Sequence, residues 1–265
     1  RFGLGAVKGV GEAAVRSIVS ERRENGPFES LEDFVSRIDL RSANKRTLES
    51  ISHAGGFDSF NIYRSQLFHK MDNGQSYLEQ MMKFGSKIKS EKDSNQTTMF
   101  GETGESHIQS PVPPEAKPWG TMELLSKEKE VVGVYISGHP LDDYSLEIDN
   151  FCNSNFTVLK KDLELVKGKS LKFASVVTKV EHRESRTGRK FATVHLEDYH
   201  DNYRLMLFGS DYTDFKNFLQ EGWILYIKGM VQNRKWGDTD QIEFQVSKIE
   251  LLSDVIDSEP RNMIV

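Results

Sequence analysis

Several features that mark common protein classes are absent from this sequence. Its 265 residues contain one cysteine, Cys152, which excludes an internal disulfide and predicts a reducing, cytoplasmic environment. No apolar run approaches the roughly 20 residues that a membrane helix needs, so no membrane partner is expected. Walker loops and nucleophile triads are also missing, so we predict no catalytic residue in this chain.

Metal sites are not predicted either. His139 has no second ligand at a spacing that zinc requires, which makes it a turn residue before Pro140. The acidic pairs Asp142-Asp143 and Glu197-Asp198 are neighbours in sequence, and neighbours point to opposite faces of a strand. No metal and no cofactor are therefore expected in these residues.

Composition and charge limit the size of the core and the kind of partner. Hydrophobic residues make up 37% of the chain, which favours one or two domains over one large core. The net charge of −5 argues weakly against nucleic acid, but the acidity is local: residues 101–165 hold 12 acidic and 5 basic side chains. Residues 1–53 hold 8 acidic and 9 basic side chains, so this end could present a basic face.

The organisation along the chain is α+β and multidomain. Because the chain starts at Arg1 without a methionine or signal peptide, we expect it to be a piece of a longer polypeptide. The predicted regions are helix-hairpin-helix motifs with following helices over 1–90, a flexible linker over 91–120, a helical connector over 121–167, a β domain over 168–252 and a tail over 253–265.

A two-glycine hairpin leads directly into the first predicted helix. In Lys8-Gly9-Val10-Gly11 the glycines allow a tight turn and a close backbone approach to a phosphate, which would meet the helix N-terminus near Glu12. Lys8 supplies charge at the tip, and Lys45 and Arg46 extend it. This is how a helix-hairpin-helix grips duplex DNA without reading sequence. An ordinary glycine-rich turn is the alternative.

The polar linker contains one isolated apolar pair, Met99-Phe100, in the pentapeptide Gln96-Thr97-Thr98-Met99-Phe100. A linker of this composition cannot bury enough apolar area to order itself. We therefore predict that the pentapeptide is a ligand for a pocket on another protein.

From Lys169 onwards the sequence has β texture. Five predicted strands, with a short helix between the third and the fourth, have the order of an OB-fold, a five-stranded Greek-key β-barrel. Other β-barrels share that strand count. Two loops flank the binding face of an OB-fold, and both combine cations with an aromatic ring, which suits single-stranded nucleic acid; solvated charged loops are the alternative. The residues are Arg183, Arg186, Arg189, Lys190 and Phe191 in one loop and Arg234, Lys235 and Trp236 in the other.

Three blocks resemble one family. Residues 2–14, with 25–28 and 44–49, are similar to the tandem helix-hairpin-helix of the bacterial replicative DNA polymerase III alpha subunit. The second block, residues 128–133 followed by Ser137-Gly138-His139-Pro140-Leu141, resembles the connector of that family. Residues 173–208 and 223–252 are similar to its OB domain. The resemblance covers nearly the whole chain.

The resemblance implies roles for these blocks. In that family a Gln-x-x-Met/Leu-Phe peptide docks on the ring-shaped sliding clamp, and Gln96, Met99 and Phe100 match it. The helix-hairpin-helix is implied to contact duplex DNA, and the OB domain to contact single-stranded template. Other replisome subunits would be met through the parent, whose catalytic carboxylates and Mg²⁺ would lie upstream of Arg1. A non-enzymatic adaptor with a protein-binding OB-fold and an error-prone polymerase paralogue are the alternatives.

Overall fold

The computed structural model describes residues 3–97, 109–161, 163–234 and 241–258, and it leaves the side chains of residues 92–97 undescribed. The chain divides into two compact units, Arg1–Ser137 and Gly138–Val265. The first unit is helical, and the second is built on a five-stranded sheet.

The first unit consists of helices of 5 to 21 residues around an apolar core. Ser30 and Asn44 cap their helices by accepting hydrogen bonds from the amides of Asp33 and Thr47, at 3.0 and 3.1 Å. A Cβ at Gly85 would lie 2.3 Å from the Val35 carbonyl oxygen, so this glycine allows two helices to approach closely. The helices are α1 (Glu12–Asn25), α2 (Leu31–Arg37), α3 (Lys45–His53), α4 (Arg64–Phe68), α5 (Tyr77–Thr97) and α6 (Thr121–Val132).

A buried ion-pair network joins α6 to α4 and to the end of α3. The Glu128 carboxylate is fully buried and accepts hydrogen bonds from Arg64 Nη1 at 2.8 Å and from the Ile136 and Ser137 amides at 2.8 and 2.9 Å. Arg64 also donates to the His53 carbonyl and pairs with Asp58. Because every partner is satisfied, the network holds these segments together without leaving a buried charge unpaired.

The structure differs from the predicted linker at both of its described ends. Helix α5 continues to Thr97, and residues 109–120 pack on the first unit. Gln66 Nε2 donates to the Pro114 carbonyl at 2.8 Å, and Trp119 stacks on Phe68 with a centroid distance of 5.5 Å. Trp119 and this hydrogen bond fix a segment whose proline content alone predicts a spacer.

The second unit carries one antiparallel sheet in the order β3-β2-β1-β4-β5. Its strands are β1 (Ser170–Glu184), β2 (Lys190–Glu197), β3 (Asn202–Phe208), β4 (Ile224–Asn233) and β5 (Ile242–Leu251). The predicted helix between the third and fourth strands is present as α9 (Gly209–Phe215), and the other helices are α7 (Ser145–Phe151), α8 (Phe156–Lys160) and α10 (Val255–Ser258). The predicted OB-fold is thus confirmed in strand number and order. The word barrel fits loosely, since no ladder joins β3 to β5 within the described residues.

The core of the second unit lies on one face of the sheet. Phe173 and Val177 of β1, Ala192 and Val194 of β2, and Leu207 of β3 are buried there in alternation along each strand. A β-bulge between Val177 and Lys179 shifts this alternation by one residue. Lys179, Glu181 and Arg183 therefore face away from the core.

Candidate nucleic-acid interface

The hairpin of residues 8–11 places a tight turn at the start of α1. Gly9 has a φ of +87°, which favours glycine, and a Cβ there would lie 2.9 Å from Ser50 Oγ. Val10 is buried, and Gly11 is the N-cap of α1 without a side-chain hydrogen bond to the cap. The first amides of α1 can therefore donate hydrogen bonds to an external anion such as a phosphate.

The hairpin is held from behind by two helices. The Lys8 amide donates to the Val131 carbonyl at the end of α6, at 2.7 Å, and Thr47 Oγ1 of α3 donates to the Gly9 carbonyl at 3.2 Å. The Lys8 amide is thus engaged, and only its side chain remains for a ligand. Sequence reasoning missed the part played by α6, because no local pattern links residues 8 and 131.

The predicted cations around the hairpin differ in their surroundings. Lys8 and Arg46 are exposed and form no ion pair with any residue that the structure describes, and the Gly9 Cβ position lies 3.7 Å from Arg46 Nε. Lys45 Nζ instead lies 2.9 Å from Glu79 and 3.7 Å from Glu49. The hydrogen bond from Lys45 helps to lower the pKa of Glu79 to about 2, and Glu79 in turn raises the pKa of Lys45. Lys8 and Arg46 are therefore the cations that remain available beside the hairpin.

The pentapeptide prediction falls largely outside the described residues. Met99 and Phe100 lie outside them, and Gln96 is described only as backbone within α5. Its role stays a prediction.

The two sheet loops are organised differently from the sequence prediction. Strand pairing of β1 with β2 extends to Glu184 and Lys190, so Arg183 and Lys190 lie in strands and the loop spans only residues 185–189. Arg186, Arg189 and Lys190 are exposed and form no ion pair among the described residues. In the other loop Arg234 Nε pairs with Glu243 at 2.9 Å, whereas Lys235 and Trp236 lie outside the described residues.

The outward side of β1, β2 and β3, which we call the outer face, forms a three-by-three grid. Cross-strand register places Arg183, Phe191 and Phe208 in one row, Glu181, Thr193 and Met206 in the next, and Lys179, His195 and Arg204 in the third. The Phe191 and Phe208 rings stack with a centroid distance of 5.1 Å and an interplanar angle of 25°. Phe208 is 52% exposed and Met206 is 41% exposed. An aromatic stack flanked by cations is therefore open to solvent.

Two salt bridges occupy the β1 edge of this grid. Glu181 Oε1 lies 2.5 Å from Lys179 Nζ, and Glu181 Oε2 lies 2.5 Å from Arg183 Nη2. These hydrogen bonds, that from Lys179 first, lower the pKa of the Glu181 carboxyl. The carboxylate therefore stays charged at neutral pH.

Sequence reasoning named Phe191 but missed Phe208, Met206 and Arg204. The signal was present in Arg204-Leu205-Met206-Leu207-Phe208, where the even-numbered positions alternate with buried leucines. Large apolar side chains on the solvent side of a strand indicate a binding surface.

Neither a metal cluster nor a membrane helix is present among the described residues. No group of three or more His, Cys, Asp or Glu side chains in these residues could hold a metal ion. Among the same residues, no helix combines the length and the apolar character needed to cross a membrane.

Comparisons with known proteins match both units. Residues 1–67 match the family model of the helix-hairpin-helix motif, and residues 172–252 match that of the OB-fold nucleic acid binding domain. Among solved structures, the mitochondrial single-stranded DNA binding protein Rim1 of S. cerevisiae aligns with 32% of this chain and 95% of its own at 10% identity. The TM-score of that alignment is 0.24.

Curated relatives extend the match over most of the chain. DNA polymerase III subunit alpha of Borreliella burgdorferi is 33% identical over 231 residues, which cover 86% of this chain and 19% of that protein. The Chlamydia trachomatis protein of the same name is 31% identical over 265 residues, covering 97% of this chain and 20% of its own. The chain thus spans about a fifth of the length of these relatives. With both family models in the same chain, it belongs to the DNA polymerase III alpha-subunit family.

Proposed function

We propose that this chain is the nucleic-acid-binding and clamp-binding part of a DNA-directed DNA polymerase. In this proposal the hairpin contacts duplex DNA, the outer face contacts single-stranded template, and the Gln96–Phe100 peptide binds a sliding clamp. The observation that carries it is the exposed Phe191–Phe208 stack on the outer face of a domain that matches the OB-fold nucleic acid binding model.

The outer face has the chemistry that single strands require. Bases stack on aromatic rings irrespective of sequence, and each stacked base contributes about 1–3 kcal/mol. Arg204, two rows from the stack on the same face, and Arg186, Arg189 and Lys190, at the loop end of the strands, supply cations for the phosphates. Arg204 lies on the same face of the sheet as the aromatic stack, so one nucleic-acid strand could contact both.

The hairpin surface suits a duplex backbone better than bases. It offers main-chain amides at the start of α1 and the side chains of Lys8 and Arg46, with no exposed aromatic ring among residues 8–11. Such contacts fix a protein on phosphates without reading sequence.

The peptide adds avidity to these contacts. A tether between the chain and a clamp encircling DNA converts the second binding event into an intramolecular one, which can raise overall affinity by about 10²–10⁴. Nucleotidyl transfer itself, with the carboxylates that hold Mg²⁺, is assigned to parts of the parent outside this chain, and no chemical step is derived for its own residues.

The test of the single-strand surface is Phe208→Ala in the full chain. We expect affinity for an oligothymidine to fall by about 1–3 kcal/mol, roughly 5- to 150-fold, when a stacking platform is removed. Leu165→Ala is the matched control, because Leu165 is 72% exposed in the same unit but lies outside the outer face. Fluorescence anisotropy at several salt concentrations provides the measurement.

The outcome separates this function from that of a protein-binding adaptor. Nucleic-acid binding must weaken steeply with salt, since bound phosphates release counterions. A wild-type chain that shows no salt-dependent binding, or a Phe208→Ala variant equal to Leu165→Ala, would contradict the proposal and favour the adaptor.

The clamp assignment has its own test. Titration calorimetry of the chain with a bacterial sliding clamp should show binding that is lost when Met99 and Phe100 are both changed to alanine. Unchanged affinity in that double variant would exclude the peptide as the tether.

A further inference from the structure

We propose that Glu181 limits the affinity of the outer face for single-stranded nucleic acid. Its carboxylate pairs with Lys179 and Arg183 and so occupies the position that a phosphate would take beside these cations. The inference rests on the proposed function of the outer face. It adds a residue that opposes binding to the residues that promote it.

The geometry assigns one carboxylate oxygen to each cation. Oε1 lies 2.5 Å from Lys179 Nζ and Oε2 lies 2.5 Å from Arg183 Nη2, so both oxygens are occupied. The two cations are 59% and 61% exposed, whereas the Glu181 side chain is 23% exposed. A bound nucleic-acid strand could therefore contact both cations, but each is already paired with the Glu181 carboxylate.

The position of Glu181 makes this occupation relevant to the aromatic stack. Arg183 lies opposite Phe191 in the β1–β2 register, and Phe191 lies opposite Phe208 in the β2–β3 register. A base stacked on these rings would bring its phosphate near Arg183. That phosphate must either displace the carboxylate or meet a cluster whose charge is lowered by one unit.

The exposed location allows such an exchange. Salt bridges on a protein surface contribute little to stability, because water and salt screen them. Glu181 should therefore affect ligand affinity far more than folding.

The experiment compares Glu181→Gln with wild type in the full chain, with a fluorescent oligothymidine of about 20 nucleotides as the probe, long enough to fill one OB-fold site. We expect affinity at low salt to rise about fivefold, and the slope of log K against log salt to steepen by up to about 1.4, which corresponds to two freed cations on a single strand. Glu164→Gln is the matched control: it removes one negative charge from an ion pair with Lys167 outside the outer face. Thermal unfolding checks that both variants fold as wild type does.

A second background tests the mechanism. In a chain that carries Lys179→Ala and Arg183→Ala, Glu181→Gln should give no gain, because the cations that it frees are absent. The inference is overturned if Glu181→Gln matches Glu164→Gln, or if its gain persists in that background. If neither wild type nor Glu181→Gln binds the oligonucleotide, the proposed function itself fails; if wild type binds and only the gain is missing, this inference alone fails.

Discussion

The hairpin surface and the outer face both present exposed cations, but different structural features position these side chains. The hairpin is a short turn held by hydrogen bonds from α3 and α6, and α6 is fixed in turn by the buried Arg64–Glu128 pair. The outer face is the solvent side of a sheet whose other side is an apolar core. Geometry at the hairpin therefore depends on polar contacts between distant segments, whereas geometry at the outer face depends on strand register.

On both surfaces, some of the cations are paired with carboxylates. Lys45 is paired with Glu79 and Glu49 in the first unit, and Lys179 and Arg183 are paired with Glu181 in the second. Arg46 and Arg189 have no such partner among the described residues. Net charge alone, at −5, conceals this local arrangement.

The largest effect is expected from Glu128→Ala, which tests whether the hairpin depends on polar contacts. Loss of one partner from a buried ion pair costs about 3–5 kcal/mol, because Arg64 remains buried with part of its charge uncompensated. The free energy of unfolding from urea titration should fall by that amount, and duplex affinity should fall with it, while single-strand binding persists. Glu130→Ala on the same helix is the control, since Glu130 is exposed. Equal losses in the two variants would show that the network does not support the hairpin.

The second-largest effect is expected from pH, which should change the stability of the first unit through His53. Burial of His53 against Phe68 and Trp119 lowers the pKa of its imidazole to about 4 from 6.5, so the folded first unit binds fewer protons than the unfolded chain between these values. The neutral His53 therefore costs no stability above pH 6.5. As the pH falls from 6.5 towards 4, the free energy of unfolding declines by on the order of 2 kcal/mol. Urea titrations at pH 7 and pH 4.5 measure this decline. His53→Phe should remove most of it; an unchanged decline in that variant would assign it to other groups.

Much of the fold followed from the sequence, because its signals are local. The glycines of the hairpin, the Ser30 cap and the five strands with one interposed helix depend on residues that lie close together in the chain. The Lys8–Val131 hydrogen bond and the Arg64–Glu128 pair join residues more than 60 positions apart, so no periodicity revealed them. The outer-face grid depended on the bulge at β1 and on strand register, which the alternation of single strands does not specify.

The smallest expected effect is on duplex affinity, and it compares Arg46→Ala with Lys45→Ala. Arg46 is exposed beside Gly9, whereas Lys45 would have to leave Glu79 and Glu49 before it could bind a phosphate. Removal of one phosphate contact should weaken binding by about 1 kcal/mol and lower the salt slope by about 0.9, and Lys45→Ala should change both quantities less. Electrophoretic titrations of duplex DNA at several salt concentrations measure both quantities. If the two variants lose equal affinity, the acidic partners of Lys45 exchange freely with phosphate. The ion pairs of Lys45 would then have no effect on duplex binding, and the hairpin surface would differ in this respect from the outer face, where the Glu181 ion pairs are expected to limit affinity.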